Sequence, residues 1–458
     1  MTAFRWTDRE VRKALGIQGG SQRPVYEDVS TDTRAIRTGD LFVALVGERF
    51  DGHAFLAEAA RDGARGAIVR EDRAEEAGSV GLVAYAVPDT LVALGALARH
   101  RRRALAARVV GITGSSGKTT TKELAKGAIG GALRTHATTA NLNNRIGLPL
   151  TLLSAPADAE VVLLEMGTNE PGEIATLTDV AEPSLGVVTT VGEAHLEGLG
   201  SLAGVLHEKL ALVRGLPAHG VALVGDEPPE LAAAARATGR AVRVAGWSPR
   251  ADQDLRPDDA AVDDQGCFGW TWKGEPVRLR IPGRAAVVDA LLALALSEEL
   301  GVEPRVATSG LGSVEPTGMR GEMRAIGTLR VLVDCYNANP QSVEAALDLL
   351  EMLPHAGGKV AVLGSMLELG DRSGALHEQV LGSALARRLD RVIATGAFAS
   401  AAPERTDERL VRVEDPEALV TRVSSLLKGD ELVLLKGSRG VRLERLLQPL
   451  RAAFGGEA

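Results

Sequence analysis

Residues 111–120 read Gly111-Ile-Thr-Gly-Ser-Ser-Gly-Lys-Thr-Thr120. They follow the apolar run Arg108-Val-Val-Gly-Ile112, which is typical of a buried strand, and precede residues 121–128, whose composition favours a helix. A strand, a glycine-rich turn and a helix in this order suit a phosphate group, because the glycines let the backbone wrap closely and the helix N-terminus faces the anion. The segment therefore predicts a nucleotide-binding site on an α/β scaffold.

Two side chains of this segment have the chemistry that nucleotide phosphates require. Lys118 is expected to reach the β- and γ-phosphates, and the hydroxyl of Thr119 is expected to ligate Mg²⁺. The general pattern G-x4-G-K-[ST] is not met, since its first glycine would fall at Ile112. The Gly-Lys-Thr triplet at a strand–helix turn still predicts phosphate binding. The candidate phosphate-binding residues are Thr113, Gly114, Ser115, Ser116, Gly117, Lys118, Thr119 and Thr120.

Phosphate binding alone does not identify the reaction. A GTPase needs an Asn-Lys-x-Asp segment to recognise the base, and the sequence contains no Asn-Lys pair. A translocating ATPase usually carries an aspartate after its Walker B strand, whereas the run Val161-Val-Leu-Leu-Glu165-Met-Gly ends on a glutamate. A carboxylate at that point can still hold Mg²⁺ beside the phosphates. Both classes are therefore disfavoured.

The composition is typical of a globular protein with several domains. The 458 residues predict about three domains. The net charge of −8 disfavours nucleic-acid binding, and we expect the compact basic run Arg101–Arg103 to be a solvated helix end. Cys267 and Cys335 indicate neither a disulfide framework nor a zinc site. Without a signal-type N-terminus or a run of about 18 apolar residues, we expect a cytoplasmic protein with no membrane span.

Apolar runs alternate with alanine- and leucine-rich segments, which is typical of parallel α/β sheets. We predict an N-terminal domain at residues 1–105, a central P-loop domain at residues 106–313 and a C-terminal Rossmann-like domain at residues 314–458. In the first, strands at 40–45 and 67–70 flank a helix at 54–62. The last helix of the central block is predicted at 287–300. The C-terminal sheet is predicted from four strands, at 329–333, 359–363, 391–395 and 431–435.

Each block also carries short polar motifs. They are Ser30-Thr-Asp-Thr-Arg34, Gly39-Asp-Leu-Phe-Val-Ala-Leu45 and Gly47-Glu-Arg-Phe-Asp-Gly-His53 in the first block; Thr139-Ala-Asn-Leu-Asn-Asn144, Gly147-Leu-Pro-Leu150, Glu165-Met-Gly167 and Ala194-His-Leu-Glu197 in the second; and Asp334-Cys-Tyr-Asn-Ala-Asn-Pro340, Val362-Leu-Gly-Ser-Met-Leu-Glu-Leu-Gly370 and Leu435-Lys-Gly-Ser-Arg439 in the third. Together with the phosphate loop, these motifs resemble the Mur ligase family over essentially the whole chain. The third block is the most specific, and is similar to the member that adds D-Ala-D-Ala.

The resemblance implies an ATP-dependent amide ligase whose N-terminal domain binds UDP-MurNAc-tripeptide and whose C-terminal domain binds the incoming D-Ala-D-Ala. The peptide carboxylate attacks the γ-phosphate of ATP, and the dipeptide amine then displaces phosphate from the acyl phosphate. ADP, phosphate and a UDP-MurNAc-pentapeptide for peptidoglycan and cell-wall synthesis result. Because a carboxylate must approach a polyanion, the reaction needs positive charge from Lys118 and Mg²⁺. The resemblance implies two Mg²⁺ ions. A monomer is implied.

The resemblance also implies individual roles. Thr119 and Glu165 match ligands of a first Mg²⁺, and His195 matches a ligand of a second. Asn143 and Asn144 match a pair near the phosphates and the substrate. The implied catalytic set is Lys118, Glu165, His195, Lys209, Asn143 and Asn144. The nucleotide contacts in the third block are Arg320, Asp334 (through the ribose hydroxyls), Tyr336, Asn337 and Asn339. The implied substrate-binding residues are Thr31, Asp32, Arg34, Asp51, His53, Lys436, Ser438 and Arg439.

Lys209 matches a lysine that the family carbamylates, which converts an amine into an anion able to help bind the second Mg²⁺. The alternative is a surface lysine on a helix at residues 204–213. The sequence departs from the family pattern here, because Leu210-Ala-Leu follows where an acidic residue is common. It departs again at Ala285 and Ala286, which replace an expected His and an adenine-contacting Asn.

Three alternatives stay open. The first is another amide ligase of this architecture, such as a folylpolyglutamate synthase or the member that adds the third residue, although the Tyr336–Pro340 segment and the first block disfavour both. The second is a non-catalytic nucleotide-binding regulator, and the third is a P-loop motor. We also expect catalysis to require closure of the third block onto the second, about a hinge at residues 310–318.

Overall fold

The computed structural model describes residues 4–19, 24–47, 50–401 and 407–455. Glu48 and Arg49, which belong to the motif at residues 47–53, lie outside these ranges. Three α/β units follow one another along the chain, as the alternating pattern predicts. Across the described ranges, each helix is too short or too polar to cross a lipid bilayer.

The N-terminal unit is a small sheet with short helices. Its elements are β1 Trp6–Thr7, α1 Asp8–Leu15, β2 Val25–Tyr26, β3 Val29–Ser30, β4 Leu41–Val43, β5 Val46–Gly47, β6 Phe50–Asp51, α2 Leu56–Arg61, β7 Gly66–Arg70, α3 Ala74–Ser79, β8 Val83–Val87 and α4 Thr90–Ala104. Strands β3, β4, β7 and β8 form a parallel sheet in that order. The predicted helix at 54–62 begins as a 3-10 turn, Gly52–Phe55, that Asp51 caps.

The central unit contains the phosphate loop. Its elements are β9 Arg108–Thr113, α5 Lys118–Gly130, β10 Thr135–Ala137, α6 Gly147–Leu153, β11 Val161–Glu165, α7 Glu173–Ala181, β12 Leu185–Val188, α8 Leu196–Leu199, α9 Leu202–Gly215, β13 Val221–Gly225, α10 Pro229–Arg236, β14 Ala241–Ala245, β15 Ala261–Val262, β16 Cys267–Trp272, β17 Glu275–Pro282, α11 Arg284–Glu299 and α12 Pro304–Leu311. Six strands form a parallel sheet, ordered β10-β11-β9-β12-β13-β14. Strands β15, β16 and β17 form a separate antiparallel sheet. Because β9 and β11 are neighbours, the phosphate loop and Glu165 emerge side by side.

The C-terminal unit is Rossmann-like, as predicted, but its sheet has six strands rather than four. Its elements are β18 Glu322–Ile326, β19 Leu329–Asp334, α13 Pro340–Met352, β20 Lys359–Leu363, α14 Ser373–Ala386, β21 Arg391–Thr395, α15 Ala397–Ala401, β22 Leu410–Val413, α16 Pro416–Arg422, β23 Leu432–Lys436 and α17 Leu447–Phe454. The strand order is β18-β19-β23-β20-β21-β22, with β18 antiparallel to β19.

The prediction that Arg101–Arg103 is a solvated helix end was wrong for Arg101, although Arg103 is exposed. Arg101 is only 3% exposed, donates to the carbonyl oxygen of Ala155 at 2.6 Å, and stacks on the ring of Phe4. Arg102 donates to the carbonyl oxygen of Ala181 at the end of α7. The guanidinium groups satisfy carbonyls of the central unit because each offers several donors in a fixed fork. Helix α4 thereby joins the N-terminal unit to the central one, and the two share an apolar core.

The predicted hinge at residues 310–318 begins too early, because Gly310 belongs to α12. This helix packs so closely on α5 that a Cβ on Gly310 would lie 2.2 Å from the carbonyl oxygen of Gly127. The chain between the central and C-terminal units has neither helix nor strand over residues 312–321. Residues 312–318 of the predicted hinge lie in this irregular segment, whereas Gly310 does not.

We expect Gly310→Ala to destabilise the protein by about 1–3 kcal/mol, the usual cost of adding a methyl group to a filled interior. The obstructing atom is a backbone oxygen, which cannot rotate away. The midpoint of urea unfolding measures the effect. Gly382→Ala in α14 is the control, since its Cβ would meet nothing within 4 Å and alanine favours a helix over glycine by roughly 0.5–1 kcal/mol. Equal midpoints for the two variants would show that the α5–α12 contact is looser than described.

Candidate nucleotide-binding site

The phosphate loop depends on two glycines in unusual conformations. The φ angles are +150° at Gly114 and +83° at Gly117. A Cβ on Gly114 would lie 1.9 Å from Thr189 Oγ1, and one on Gly117 would lie 2.3 Å from Asp289 Oδ1. Both the backbone conformation and the close approach therefore require glycine. Thr113 is fully buried and donates to the carbonyl oxygen of Met166 at 2.8 Å, so it anchors the start of the loop.

The N-terminus of α5 has the properties of an anion site. Its N-cap residue is Gly117, and the cap makes no side-chain hydrogen bond. The first N–H groups of a helix lack intrahelical partners, and their dipoles favour negative charge. Ser115 holds the loop in place, because its N–H donates to the carbonyl oxygen of Thr190 at 2.9 Å and its hydroxyl donates to the carbonyl oxygen of Gly192 at 3.1 Å. This geometry suits the phosphate that the sequence predicts here.

Lys118 is the first residue of α5. Its Nζ donates to the carbonyl oxygen of Gly114 at 2.6 Å, so the side chain folds back over the loop. Burial lowers the pKa of Lys118, and Arg320 lowers it further, while Glu165 and Glu368 raise it. An arriving phosphate would provide the compensating charge that this buried amine lacks.

A hydroxyl and a carboxylate meet at the end of the neighbouring strand. Thr119 Oγ1 donates to Glu165 Oε2 at 2.9 Å, and Asn143 Nδ2 donates to Glu165 Oε1 at 2.8 Å. The backbone N–H of Glu165 donates to Thr138 Oγ1, which fixes the strand end. Glu165 is 3% exposed. Hydrogen bonds therefore join Thr119, Glu165 and Asn143, three residues that the resemblance places near the phosphates.

His195 lies where the central and C-terminal units meet. It precedes α8 in a left-handed conformation with φ +55°. Its Nδ1 lies 2.5 Å from Glu368 Oε2 of the C-terminal unit. The pKa of Glu368 is lowered, chiefly by the close approach of His195 and also by the charge of Lys118. The motif at residues 362–370 contains Glu368, but the sequence analysis gave this residue no role.

Lys209 is fully buried in α9, so the alternative of a surface lysine was wrong. Within the described part of the chain, its Nζ has no hydrogen-bond partner. The pKa of Lys209 is lowered well below its usual value, chiefly by burial and then by the nearby charge of Lys118, while Glu208 and Glu173 oppose this. Lys209 is therefore an amine held in conditions that favour its neutral form.

The C-terminal unit supplies the other wall of the site. Asp334 Oδ2 lies 2.9 Å from Lys436 Nζ at the ends of neighbouring strands. The guanidinium carbon of Arg320 lies 3.6 Å from the centroid of the Tyr336 ring. Asn339 Nδ2 donates to the carbonyl oxygen of Ser115 at 3.2 Å, which ties the C-terminal unit directly to the phosphate loop.

These groups surround a cavity of about 380 Å³ between the two units. The residues predicted for the site that line it are Ser115, Ser116, Gly117, Lys118, Thr119, Thr120, Asn143, Asn144, Glu165, His195, Arg320, Asp334, Tyr336, Asn337, Asn339 and Lys436. Lys436 was predicted to bind substrate, but it lies beside Asp334, which was predicted to bind ATP. Thr113, Gly114 and Lys209 do not line the cavity.

The remaining predicted substrate residues lie away from this cavity. Ser438 is 2% exposed and accepts from the backbone N–H of Leu367 at 3.0 Å, so it supports a loop and does not face a ligand. Arg439 is exposed and pairs with Glu444. In the N-terminal unit, Thr31 is half-buried, and Arg34 is exposed and forms an ion pair with Asp32 at 2.6 Å.

His53 was predicted to contact substrate, but its position does not suit that role. It is fully buried, and both of its ring nitrogens have partners. Its Nδ1 lies 2.5 Å from Asp51 Oδ1, and its Nε2 accepts from the backbone N–H of Arg70 at 3.0 Å. His53 therefore positions the partly exposed Asp51 and has no nitrogen left for a ligand.

The sequence analysis also missed Asp289. This residue lies in α11, beyond Ala285 and Ala286, and all three line the cavity. Its Oδ1 accepts from Thr121 Oγ1 at 2.9 Å, and burial raises the pKa of its carboxyl to about 7. No motif near residue 289 indicates that this carboxyl group belongs to the cavity. Only the fold brings Asp289 under the phosphate loop.

Three family profiles match the chain. They are the Mur ligase family catalytic domain at residues 25–102, the Mur ligase middle domain at residues 112–297 and the Mur ligase glutamate ligase domain at residues 319–439. The UDP-N-acetylmuramoyl-tripeptide–D-alanyl-D-alanine ligase of Bacillus subtilis is 36% identical over 448 residues, with 95% of this chain and 96% of the relative covered.

Solved structures are similar over the same length. The chain matches MurF from Acinetobacter baumannii with a TM-score of 0.88 and 30% identity, covering 99% of this chain and 100% of that one. It matches the MurF ligase from Thermotoga maritima in complex with ADP with a TM-score of 0.79 and 29% identity, covering 94% and 98%. Since profile, sequence and structure agree over nearly the whole length, the chain belongs to the Mur ligase family.

Proposed function

We propose that the chain is an ATP-dependent ligase that joins D-Ala-D-Ala to UDP-MurNAc-tripeptide through an acyl phosphate, giving UDP-MurNAc-pentapeptide, ADP and phosphate. The observation that carries the proposal is the phosphate loop with Lys118 folded over it, in a chain similar along its length to ligases of that name. Lys118 and the uncapped N-terminus of α5 offset the charge of the γ-phosphate as the peptide carboxylate approaches. The amine of the dipeptide then forms the amide bond as phosphate leaves.

The residues present fit a Mg²⁺ ion at the phosphates. Thr119 Oγ1 and the Glu165 carboxylate meet at 2.9 Å, and both are oxygen donors of the kind that Mg²⁺ prefers. In the described ranges, no group of three or more His, Cys, Asp or Glu side chains is arranged to hold a metal alone. This suits Mg²⁺ at a triphosphate, where one or two carboxylates share the ion with phosphate oxygens and water. The ion supplies positive charge to the transferring phosphoryl group.

A second Mg²⁺ would be held by His195 together with a carbamate on Lys209. The buried Nζ of Lys209, without a partner and with a lowered pKa, is the form of amine that adds CO₂. The carbamate would give this position an anionic oxygen donor. Asn143 would keep its hydrogen bond to Glu165, so that the carboxylate keeps its orientation.

The nucleoside would lie toward the C-terminal unit. Asp334, held by Lys436, offers carboxylate oxygens for the ribose hydroxyls. The stacked pair of Arg320 and Tyr336 borders the phosphates. Ala285 and Ala286 give the base an apolar wall in place of the expected His and Asn, so base recognition here depends more on packing.

The UDP-sugar peptide would bind the N-terminal unit. Large apolar side chains are exposed around Asp51, with Val46 48%, Phe50 57% and Phe55 42% exposed. Exposed apolar clusters rimmed by polar groups are typical of binding surfaces. Asp32, Arg34 and Thr31 would provide the polar contacts. The monomeric state and the cytoplasmic location remain predictions.

A phosphate-release assay tests the proposal. We expect release only when ATP, UDP-MurNAc-tripeptide and D-Ala-D-Ala are all present, together with a pentapeptide product identified by mass. Release with a folate and glutamate, or with a UDP-MurNAc-dipeptide and an amino acid, would support another ligase of this architecture. ATP binding without turnover on any of these sets would support a regulator, and release with ATP alone would support a motor.

A further inference from the structure

The phosphate loop borders two cavities. Ser116 and Gly117 line the nucleotide cavity of about 380 Å³ and also a second cavity of about 610 Å³. The lining of the second cavity includes Thr190 of the central unit and Gln341 of the C-terminal unit. A loop that borders cavities has fewer packing contacts than one in a filled interior. Its conformation therefore depends more on hydrogen bonds.

A segment of the central unit, residues 189–192 after β12, supports the loop. The backbone N–H of Ser115 donates to the carbonyl oxygen of Thr190 at 2.9 Å. The hydroxyl of Ser115 donates to the carbonyl oxygen of Gly192 at 3.1 Å and accepts from the N–H of Gly192 at 3.0 Å. A shift of residues 189–192 would therefore move the phosphate loop.

Gln341 of the C-terminal unit holds this supporting segment. Thr190 Oγ1 donates to Gln341 Oε1 at 2.9 Å, and Gln341 Nε2 donates to Glu227 Oε2 at 3.3 Å. The amide also lies against the backbone of the segment, because a Cβ on Gly192 would be 2.7 Å from Gln341 Oε1. One side chain thus links α13 to two loops of the central unit.

The start of α13 gives Gln341 a fixed base. Asn339 caps the helix, since its Oδ1 accepts from the N–H of Ser342 at 2.8 Å while its own N–H donates to Ser342 Oγ at 3.0 Å. Asn339 Nδ2 donates to the carbonyl oxygen of Ser115 at 3.2 Å. Two side chains of one capped helix start therefore reach the phosphate loop and its support.

We propose that Gln341 is a positioning residue that holds residues 189–192 against the phosphate loop, so that the loop is preorganised for a nucleotide triphosphate. The inference rests on the proposed function, in which this loop binds ATP. Gln341 lies outside the described lining of the nucleotide cavity, so it acts through Thr190. A site that is already ordered binds more tightly, because binding then costs less conformational entropy.

Calorimetric titration of the full chain with a non-hydrolysable ATP analogue and Mg²⁺ tests the proposal. We expect Gln341→Ala to raise the Kd about 3–10-fold, the usual effect of one lost hydrogen bond. Gln265→Ala is the matched control, because Gln265 Oε1 accepts from Arg330 Nη2 at 3.3 Å across the same two units. The control should bind as the wild type does. Equal weakening in both variants would show that Gln341 only helps to join the units, and would overturn the proposal.

Variants of Thr190 test the route of the effect and do not depend on how well Gln341→Ala folds. Thr190→Val removes the hydroxyl and should weaken binding by a similar factor, whereas Thr190→Ser keeps the hydroxyl and should bind like the wild type. The double variant Thr190→Val with Gln341→Ala should bind no more weakly than either single one, since partners in one hydrogen bond are not additive. Additive losses, or equal losses in the serine and valine variants, would contradict the proposal.

The titration needs no turnover, so it separates this role from the ligase activity. A wild type that binds the analogue with the expected pattern of variants, but releases no phosphate with the tripeptide and the dipeptide, would refute the proposed function and leave the positioning role intact. A wild type that does not bind the analogue would overturn both.

Discussion

Lys118→Ala is expected to lower kcat at least about a hundredfold while the protein stays folded, because a fixed cation on a transferring phosphoryl group is worth several kcal/mol. The amine lies over the loop, bonded to the carbonyl oxygen of Gly114, and is partly buried without a carboxylate hydrogen bond among its described contacts. Alanine removes this charge and leaves the glycine geometry untouched. Phosphate release at saturating substrates measures the loss, and circular dichroism confirms the fold.

Lys126→Ala is the matched control for Lys118→Ala. Lys126 lies on the same helix but is exposed, so its removal changes the charge of α5 without changing the cavity. Activity of Lys126→Ala should equal that of the wild type. A Lys118→Ala enzyme that keeps most of its rate would exclude the phosphate loop from catalysis.

Lys209→Ala and Lys209→Arg should both lose activity, again by about a hundredfold or more, since each removes the carbamate that we propose as an anionic oxygen donor to a second Mg²⁺. Lys209 is fully buried with a depressed pKa, which favours the neutral amine that can add CO₂. Formate or acetate should restore part of the rate in Lys209→Ala, because the shortened side chain leaves room for a small carboxylate. They should not restore Lys209→Arg.

The arginine variant separates the carbamate from a role for positive charge. Arginine supplies a positive charge but cannot form the carbamate, so wild-type rates in Lys209→Arg would refute the modification. Steady-state rates with added carboxylate and the apparent Mg²⁺ requirement, measured on both variants, distinguish the two outcomes.

The interior strands of the C-terminal sheet could be predicted to within one residue. Lys359–Leu363 and Arg391–Thr395 match their predicted bounds. Strands covered on both faces are continuous apolar runs, which makes them easy to find. The two missed strands lie at the edges of the sheet, and Glu322–Ile326 carries charged residues that a buried strand would exclude.

The features of the site that depend on tertiary contacts could not be predicted. Glu368 contacts His195 only because β20 ends opposite the loop before α8. Arg101 has the composition of a solvated helix end, yet the fold places a carbonyl group within reach of it. In both cases the local sequence is ordinary, and the contact depends on a residue that is distant in the chain.

The core that α4 shares with α6 and α7 has a further consequence. The shared core holds the N-terminal surface at a fixed distance from the phosphate loop. A peptide anchored by its sugar must then place its terminal carboxylate by its own reach, and each residue removed shortens an extended chain by about 3.3–3.6 Å. We expect a peptide one residue too short to bind at one end and to stop before the γ-phosphate, so that the fixed distance would disfavour shorter peptides.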